Sequence, residues 1–214
     1  MEVQKLEIRR QGIHLAGILA VPLAFTLGQG IVIAGSLLLA LGLGILALYR
    51  GHKGSIKTRL ALSPASWAKL VKVEKIIYGA LDSVERESHS KKYPYYSAIT
   101  FFLASGSAYL LLSLPVASLA VTTLALGDSV STLIGSIFGT RKIPGTGGKT
   151  WEGFLAGLFA CVLGGMVLAT ATAVPLTWVP AAALAGALAE AGAQKIDDNL
   201  LIPLVVASVI TLIF

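Results

Sequence analysis

Apolar residues gather into seven blocks along the chain, separated by polar or glycine-containing connections. The blocks run from about Ile13 to Leu27, Ile31 to Tyr49, Ser97 to Leu112, Val116 to Phe138, Phe154 to Val174, Val179 to Ala193 and Leu200 to Phe214. A helix needs about 20 apolar residues to cross a bilayer. The pattern therefore predicts an all-α fold, a polytopic transmembrane helical bundle of about seven spans. The longest connection, 50–96, has a different rhythm. Between Ser66 and Val84, the apolar Trp67, Leu70, Val71, Ile77 and Leu81 alternate with Lys69, Lys72 and Lys75, as in an amphipathic helix lying in a membrane interface. The chain is thus expected to be a single integral membrane domain over 1–214, with 50–96 as a cytoplasmic or interfacial insertion. Tyr93, Tyr95 and Tyr96 fit an aromatic belt at the membrane boundary.

Charge gives this pattern a direction. All 17 Lys and Arg fall on one side of the seven-block alternation: three precede the first block, ten lie between Arg50 and Lys92, three lie between Arg141 and Lys149, and the last is Lys195. Connections near Gly28 to Gly30, Ser113 to Pro115 and Pro175 to Pro180 carry no charge. The positive-inside rule places the N-terminus and the charged connections in the cytoplasm and the C-terminus outside. All 11 acidic residues lie toward the same face, so the chemistry is expected there. With 55% hydrophobic residues, 13% charged residues and a mean hydropathy of +0.80, the chain has about half the charge of a soluble domain. These values exclude an ordinary soluble enzyme. No nucleic-acid partner is expected; membrane lipids are, and a homo-oligomer is compatible with the pattern. Cys161 stands alone in an apolar block, so no disulfide framework is available. Lys5, Arg9 and Arg10 before the first block resemble a secretory signal, but the later blocks favour a retained helix.

Candidate chemistry concentrates in LGDSVSTLIGSIFGTRKIPGTGGKTWEG, residues 126–153. Asp128 stands about 18 Å along its block from Val116, at about 1.5 Å per residue, which recesses it in the cytoplasmic half. An ionised group in hydrocarbon is a functional hypothesis by default. Ser131, Thr132, Gly135 and Gly139 follow at helical spacing and give one small, polar face, suited to a ligand or to close helix packing. The loop after it suits bound phosphate: Gly145, Gly147 and Gly148 admit close approach of backbone amides, and Arg141, Lys142 and Lys149 supply positive charge, with Thr150 next in line. It is not a Walker A loop, because Ile143 occupies the position of the first glycine and no strand precedes it. Asp128 and Glu152 flank the loop, as a divalent metal bridging phosphates would require. Asp197 and Asp198 are further metal candidates, and Asp198 or Asn199 would also make an N-cap for the last helix.

The joint spacing of Gly127-Asp128, Phe138-Gly139, Lys149-Thr150 and Glu152-Gly153 resembles the signature of CTP-using membrane enzymes, the phosphatidate cytidylyltransferases and the dolichol, phytol and polyprenol kinases. Two further elements resemble the kinase branch. Glu190 is followed by Asp198-Asn199-Leu200 and Ile202-Pro203, and the chain opens with Glu7, Arg10 and His14 on one helical face, departing from that branch at Gln11 where it has lysine. The Lys-Arg or Lys-Asp, His-Gly-Gly and Asp-Arg elements expected of the cytidylyltransferases do not occur. The resemblance implies a kinase that moves the terminal phosphate of CTP to the hydroxyl of a long-chain isoprenoid alcohol at the cytoplasmic leaflet of a cell membrane or endoplasmic reticulum. It implies Mg²⁺ or Mn²⁺ on Asp128 with Glu152, Asp197 or Asp198, CTP phosphates on Lys149 and the glycine loop, and Glu190 or His14 accepting the alcohol proton. Cytidylyl transfer to phosphatidate, ion-coupled transport and a purely structural membrane role are the competing readings.

Overall fold

A computed structural model describes residues 11–12, 14–51, 72, 79, 95–193 and 196–214. Glu7, Arg10, Tyr93, Lys195 and the expected amphipathic helix over 66–84 lie outside the described residues, apart from Lys72 and Gly79. Among the described residues the fold is all-helical, with seven apolar helices. These are α1 (His14–Leu27), α2 (Gln29–Gly51), α3 (Tyr96–Leu111), α4 (Leu114–Phe138), α5 (Trp151–Ala171), α6 (Leu176–Gly192) and α7 (Asp198–Ile213). Three of them, α2, α4 and α5, are long and apolar enough to cross a membrane, while the other four are shorter apolar helices.

The helix α4 is the axis of the bundle. Some 72% of its most apolar stretch is buried inside the protein, against 17% for α2 and 22% for α5. Around it pack α1, α3, α5, α6 and α7, while α2 lies outside against α3 and α1. Val116, Ala117, Leu119, Ala120, Val121 and Leu124 of α4 meet Phe101 and Tyr109 of α3, Val179, Ala182 and Ala185 of α6, and Ile202, Val206 and Ile210 of α7. Outward faces are as apolar as the core: Leu38 and Leu48 on α2, Phe159 and Val167 on α5 and Leu204 on α7 are each about two-thirds exposed. A water-soluble protein does not leave such contiguous faces bare, and hydrocarbon is the solvent that suits them.

Small residues set the closest approach, between α4 and α5. Gly153, Gly157, Cys161 and Gly165 recur at every fourth position on the buried face of α5. A Cβ added at Gly157 would stand 2.8 Å from Ser131 Cβ and 3.0 Å from the Gly127 carbonyl oxygen, so only hydrogen fits. Gly135 answers from α4, with Thr150 Oγ1 3.0 Å and Gly153 Cα 3.6 Å from its missing Cβ. Ser131, Gly135 and Gly139, the small face suited to a ligand or to close packing, thus lie against α5 and its cap.

Side-chain contacts fix which helix ends lie together. The start of α1 reaches α4 through His14 and Asp128, the start of α7 reaches the start of α3 through Asn199 and Thr100, and the loop before α5 reaches the end of α6 through Lys149 and Glu190. One end of the bundle therefore gathers the buried charges. At the start of α3, Tyr95 is buried at 3% exposure in a left-handed conformation (φ 63°). It is enclosed by the bundle rather than spread on its rim, unlike Tyr96 beside it, which is exposed.

Candidate active site

Asp128 ends a π-helical turn, Leu124–Asp128, set within α4. Such a turn inserts one residue into the helical register and re-aims the side chains at its end, and single π turns recur at functional sites. The Asp128 carboxylate is nearly inaccessible at 2% exposure. Its Oδ1 accepts a hydrogen bond from Thr132 Oγ1 at 3.2 Å, one turn further along. Its Oδ2 lies 3.5 Å from His14 Nδ1, within ion-pair range but outside hydrogen-bonding geometry. The His14 ring in turn packs tilted by 50° against Phe101, with centroids 4.9 Å apart. Ser129 ties the same part of α4 to α1 through the Gln11 carbonyl at 3.5 Å.

The glycine loop is an ordered hairpin. Ile143 N–H donates to the Lys149 carbonyl at 2.8 Å and Trp151 N–H to the Arg141 carbonyl at 2.9 Å, with Lys142 and Thr150 paired antiparallel between them. Gly145, Gly147 and Gly148 have φ of 76°, 68° and 113°, so other L-residues would be strained there. Thr150 closes the loop as N-cap of α5, its hydroxyl accepting from Gly153 N–H at 3.2 Å. Arg141 and Lys142 stay exposed, whereas Lys149 turns inward and forms an ion pair with Glu190, a carboxylate buried near the end of α6. The lysine side chain keeps 28% exposure against 3% for the glutamate, so the ammonium joins solvent to the interior.

Cys161 of α5 lies against the Asp128 turn: its Sγ is directed at the Thr123 carbonyl, 3.6 Å away, and lies 2.9 Å from where a Gly127 Cβ would stand. This end of the bundle holds two buried carboxylates, Asp128 and Glu190, the buried His14 imidazole and the part-exposed Lys149.

The acids expected to join Asp128 around a metal have local partners. Glu152 accepts from Thr140 Oγ1 at 2.6 Å and from Arg141 N–H at 3.2 and 3.3 Å, which clamps the exit of α4 to the entry of α5. Asp197, one residue before the expected position, is the N-cap of α7, its carboxylate accepting from Asn199 N–H at 3.0 Å, and Asp198 accepts from the same amide. Among the described residues no three of His, Cys, Asp and Glu form a group able to hold a metal ion. Mg²⁺ needs no such group, because it takes one or two carboxylates and completes its shell with phosphate oxygens and water.

Sequence reasoning passed over Ser97 and Thr100. Asn199 Nδ2 donates to the Ser97 carbonyl at 3.4 Å and to Thr100 Oγ1 at 3.3 Å, contacts across about a hundred residues that no local spacing signals. Thr132 was legible from its i+4 relation to Asp128. Comparison with protein-family models, with curated proteins and with solved structures finds no match to this chain.

Proposed function

We propose that this chain is a CTP-dependent lipid kinase that phosphorylates the hydroxyl of a long-chain isoprenoid alcohol at a membrane surface. One observation carries the reading: a basic glycine hairpin delivers Lys149 to the buried Glu190 at the end of the bundle where Asp128 is also buried. Burying charges is costly unless they are paired and used. A soluble phosphate donor calls for a basic loop at an aqueous edge, and a lipid acceptor calls for a reaction centre inside an apolar bundle. The choice of CTP, and of an isoprenoid alcohol, rests on the motif resemblance.

Seven spans, with the N-terminus and the hairpin in the cytoplasm, accompany this reading. The helix α4 is long enough to cross, and α1, α3, α6 and α7 pack along it, which draws the shorter helices into the same layer. All 17 Lys and Arg then face the cytoplasm.

In the transfer, Lys149 moves its ammonium from Glu190 to the donor phosphates, with hairpin amides beside it. The acceptor oxygen forms a bond to the γ-phosphorus as the bond from that phosphorus to the bridging oxygen breaks, and CDP leaves with the electron pair. Glu190, released from Lys149, takes the hydroxyl proton. His14 holds Asp128 in place. Asp128 would hold a divalent cation, Mg²⁺ or Mn²⁺, which would supply charge neutralisation on the donor phosphates.

The test separates this from its nearest competitor. With reconstituted protein, γ-labelled CTP should pass label to geranylgeraniol or dolichol, and α-labelled CTP should leave lipid unlabelled. Label entering lipid only from the α-position, with phosphatidate as acceptor, identifies a cytidylyltransferase and overturns the kinase reading.

A further inference from the structure

Asn199 is 1% exposed, and its carboxamide is oriented by its neighbours. Thr100 spends its hydroxyl proton on the Ser97 carbonyl at 3.0 Å, which leaves Thr100 Oγ1 an acceptor toward Asn199. The Ser97 carbonyl is an acceptor as well. Both contacts therefore require the amide nitrogen of Asn199 to face α3 and turn its oxygen away. That oxygen, Oδ1, is buried without a hydrogen-bond partner among the described residues. A buried carbonyl left in this state is destabilising, and a bound donor group would relieve it.

The position of Asn199 narrows what that donor is. Thr100, which holds Asn199, is adjacent in α3 to Phe101, on which His14 packs, and His14 reaches Asp128. Neighbouring residues of α3, about 1.5 Å apart along its axis, thus contact Asn199 on one side and the His14–Asp128 pair on the other. The helix α7 also packs on the π turn that ends at Asp128. Ile202, one turn beyond Asn199, is wholly buried, while Leu200 and Leu204 are exposed on the outer face of α7. A cation would require more acceptors than one carbonyl, whereas a neutral O–H on a hydrocarbon chain matches a single acceptor reached from an apolar face.

We propose that Asn199 Oδ1 accepts the hydrogen bond of the acceptor lipid's hydroxyl, making the side of the α7 start that is turned away from α3 the subsite for the alcohol head. The proposal rests on the kinase reading and adds to it the residue that recognises the acceptor. The contact belongs to the ground state. In a loose phosphoryl transfer the hydroxyl keeps its proton until late, so Asn199 positions the oxygen before Glu190 takes the proton.

The test compares geranylgeraniol with its methyl ether, which keeps the oxygen and loses the donor, as competitors of labelled geranylgeraniol on protein in nanodiscs without nucleotide. Wild-type protein should prefer the alcohol by about 10-fold, the worth of one hydrogen bond. Asn199→Leu should bring that ratio to about one while leaving stabilisation by CTP unchanged. If Asn199→Leu does not fold, Thr100→Val, which removes one of the two acceptors that orient the amide, should reduce the ratio. A ratio preserved in the variants, with γ-phosphate still transferred, overturns the Asn199 assignment and leaves the kinase reading standing. Equal binding of alcohol and ether by wild type means that Oδ1 holds only a water, and also overturns it. Binding of neither lipid together with no γ-transfer removes the kinase reading and the subsite with it.

Discussion

On the proposed mechanism, Lys149 and Glu190 divide one ion pair into two separable tasks. Removing one partner of a buried pair leaves an uncompensated charge, so a variant that keeps the shape is more informative than a truncation. Glu190→Gln retains an acceptor for the Lys149 ammonium and removes only the charge and the basicity. If Glu190 takes the acceptor proton, this variant should lose about 100-fold or more in kcat while its KM for CTP stays within about threefold. Lys149→Ala should instead lower kcat/KM for CTP by about 100- to 1,000-fold, the usual loss when one charge stabiliser of a transition state is removed. Steady-state kinetics with CTP and lipid varied separately distinguish the two patterns. Equal effects of both variants on KM alone would make the pair a structural strut. Glu152 carries the complementary lesson at this scale. Its place beside the glycine loop suggested a metal ligand; the structure adds that its oxygens accept from Thr140 and the Arg141 amide, contacts that depend on how the hairpin closes and that sequence cannot report.

At the scale of elements, the apolar blocks located the helices well: the block read as Val116 to Phe138 is α4, Leu114–Phe138, and the block read as Phe154 to Val174 is α5, Trp151–Ala171. Block length and composition suffice for this because hydrocarbon demands internally satisfied backbone. The π turn at Leu124–Asp128 was not legible, since one inserted residue leaves the apolar periodicity of the block nearly unchanged. Nor could sequence alone decide whether Gly135 faced a ligand or a helix. The α4–α5 seam answers that question and is testable. Gly157→Leu forces a side chain against Ser131 and the Gly127 carbonyl, and should destabilise the protein by about 1–3 kcal/mol or more, as overpacking does. Gly42→Ala on α2, where an added Cβ meets nothing within 4 Å, should be neutral or mildly stabilising. Thermal unfolding in detergent measures both. Comparable losses would mean that the seam is not tight.

For the whole molecule, the decisive property among the described residues is that the buried charges and the hairpin share one end, while Gly28, Ser113 and Pro175 mark the other. Moving charged connections across a bilayer is far costlier than moving uncharged ones, which fixes orientation once a bundle forms. The chain offers a clean background for testing this, because its one cysteine, Cys161, is buried. Thr146→Cys places a thiol in the hairpin and Ser113→Cys places one at the uncharged end, between α3 and α4. In intact cells an impermeant maleimide should modify Ser113→Cys and spare Thr146→Cys, and permeabilisation should expose Thr146→Cys. The reverse labelling would put the hairpin outside. A kinase drawing on a cytoplasmic nucleotide could not work from there, so this orientation would remove the proposed donor as well as the topology.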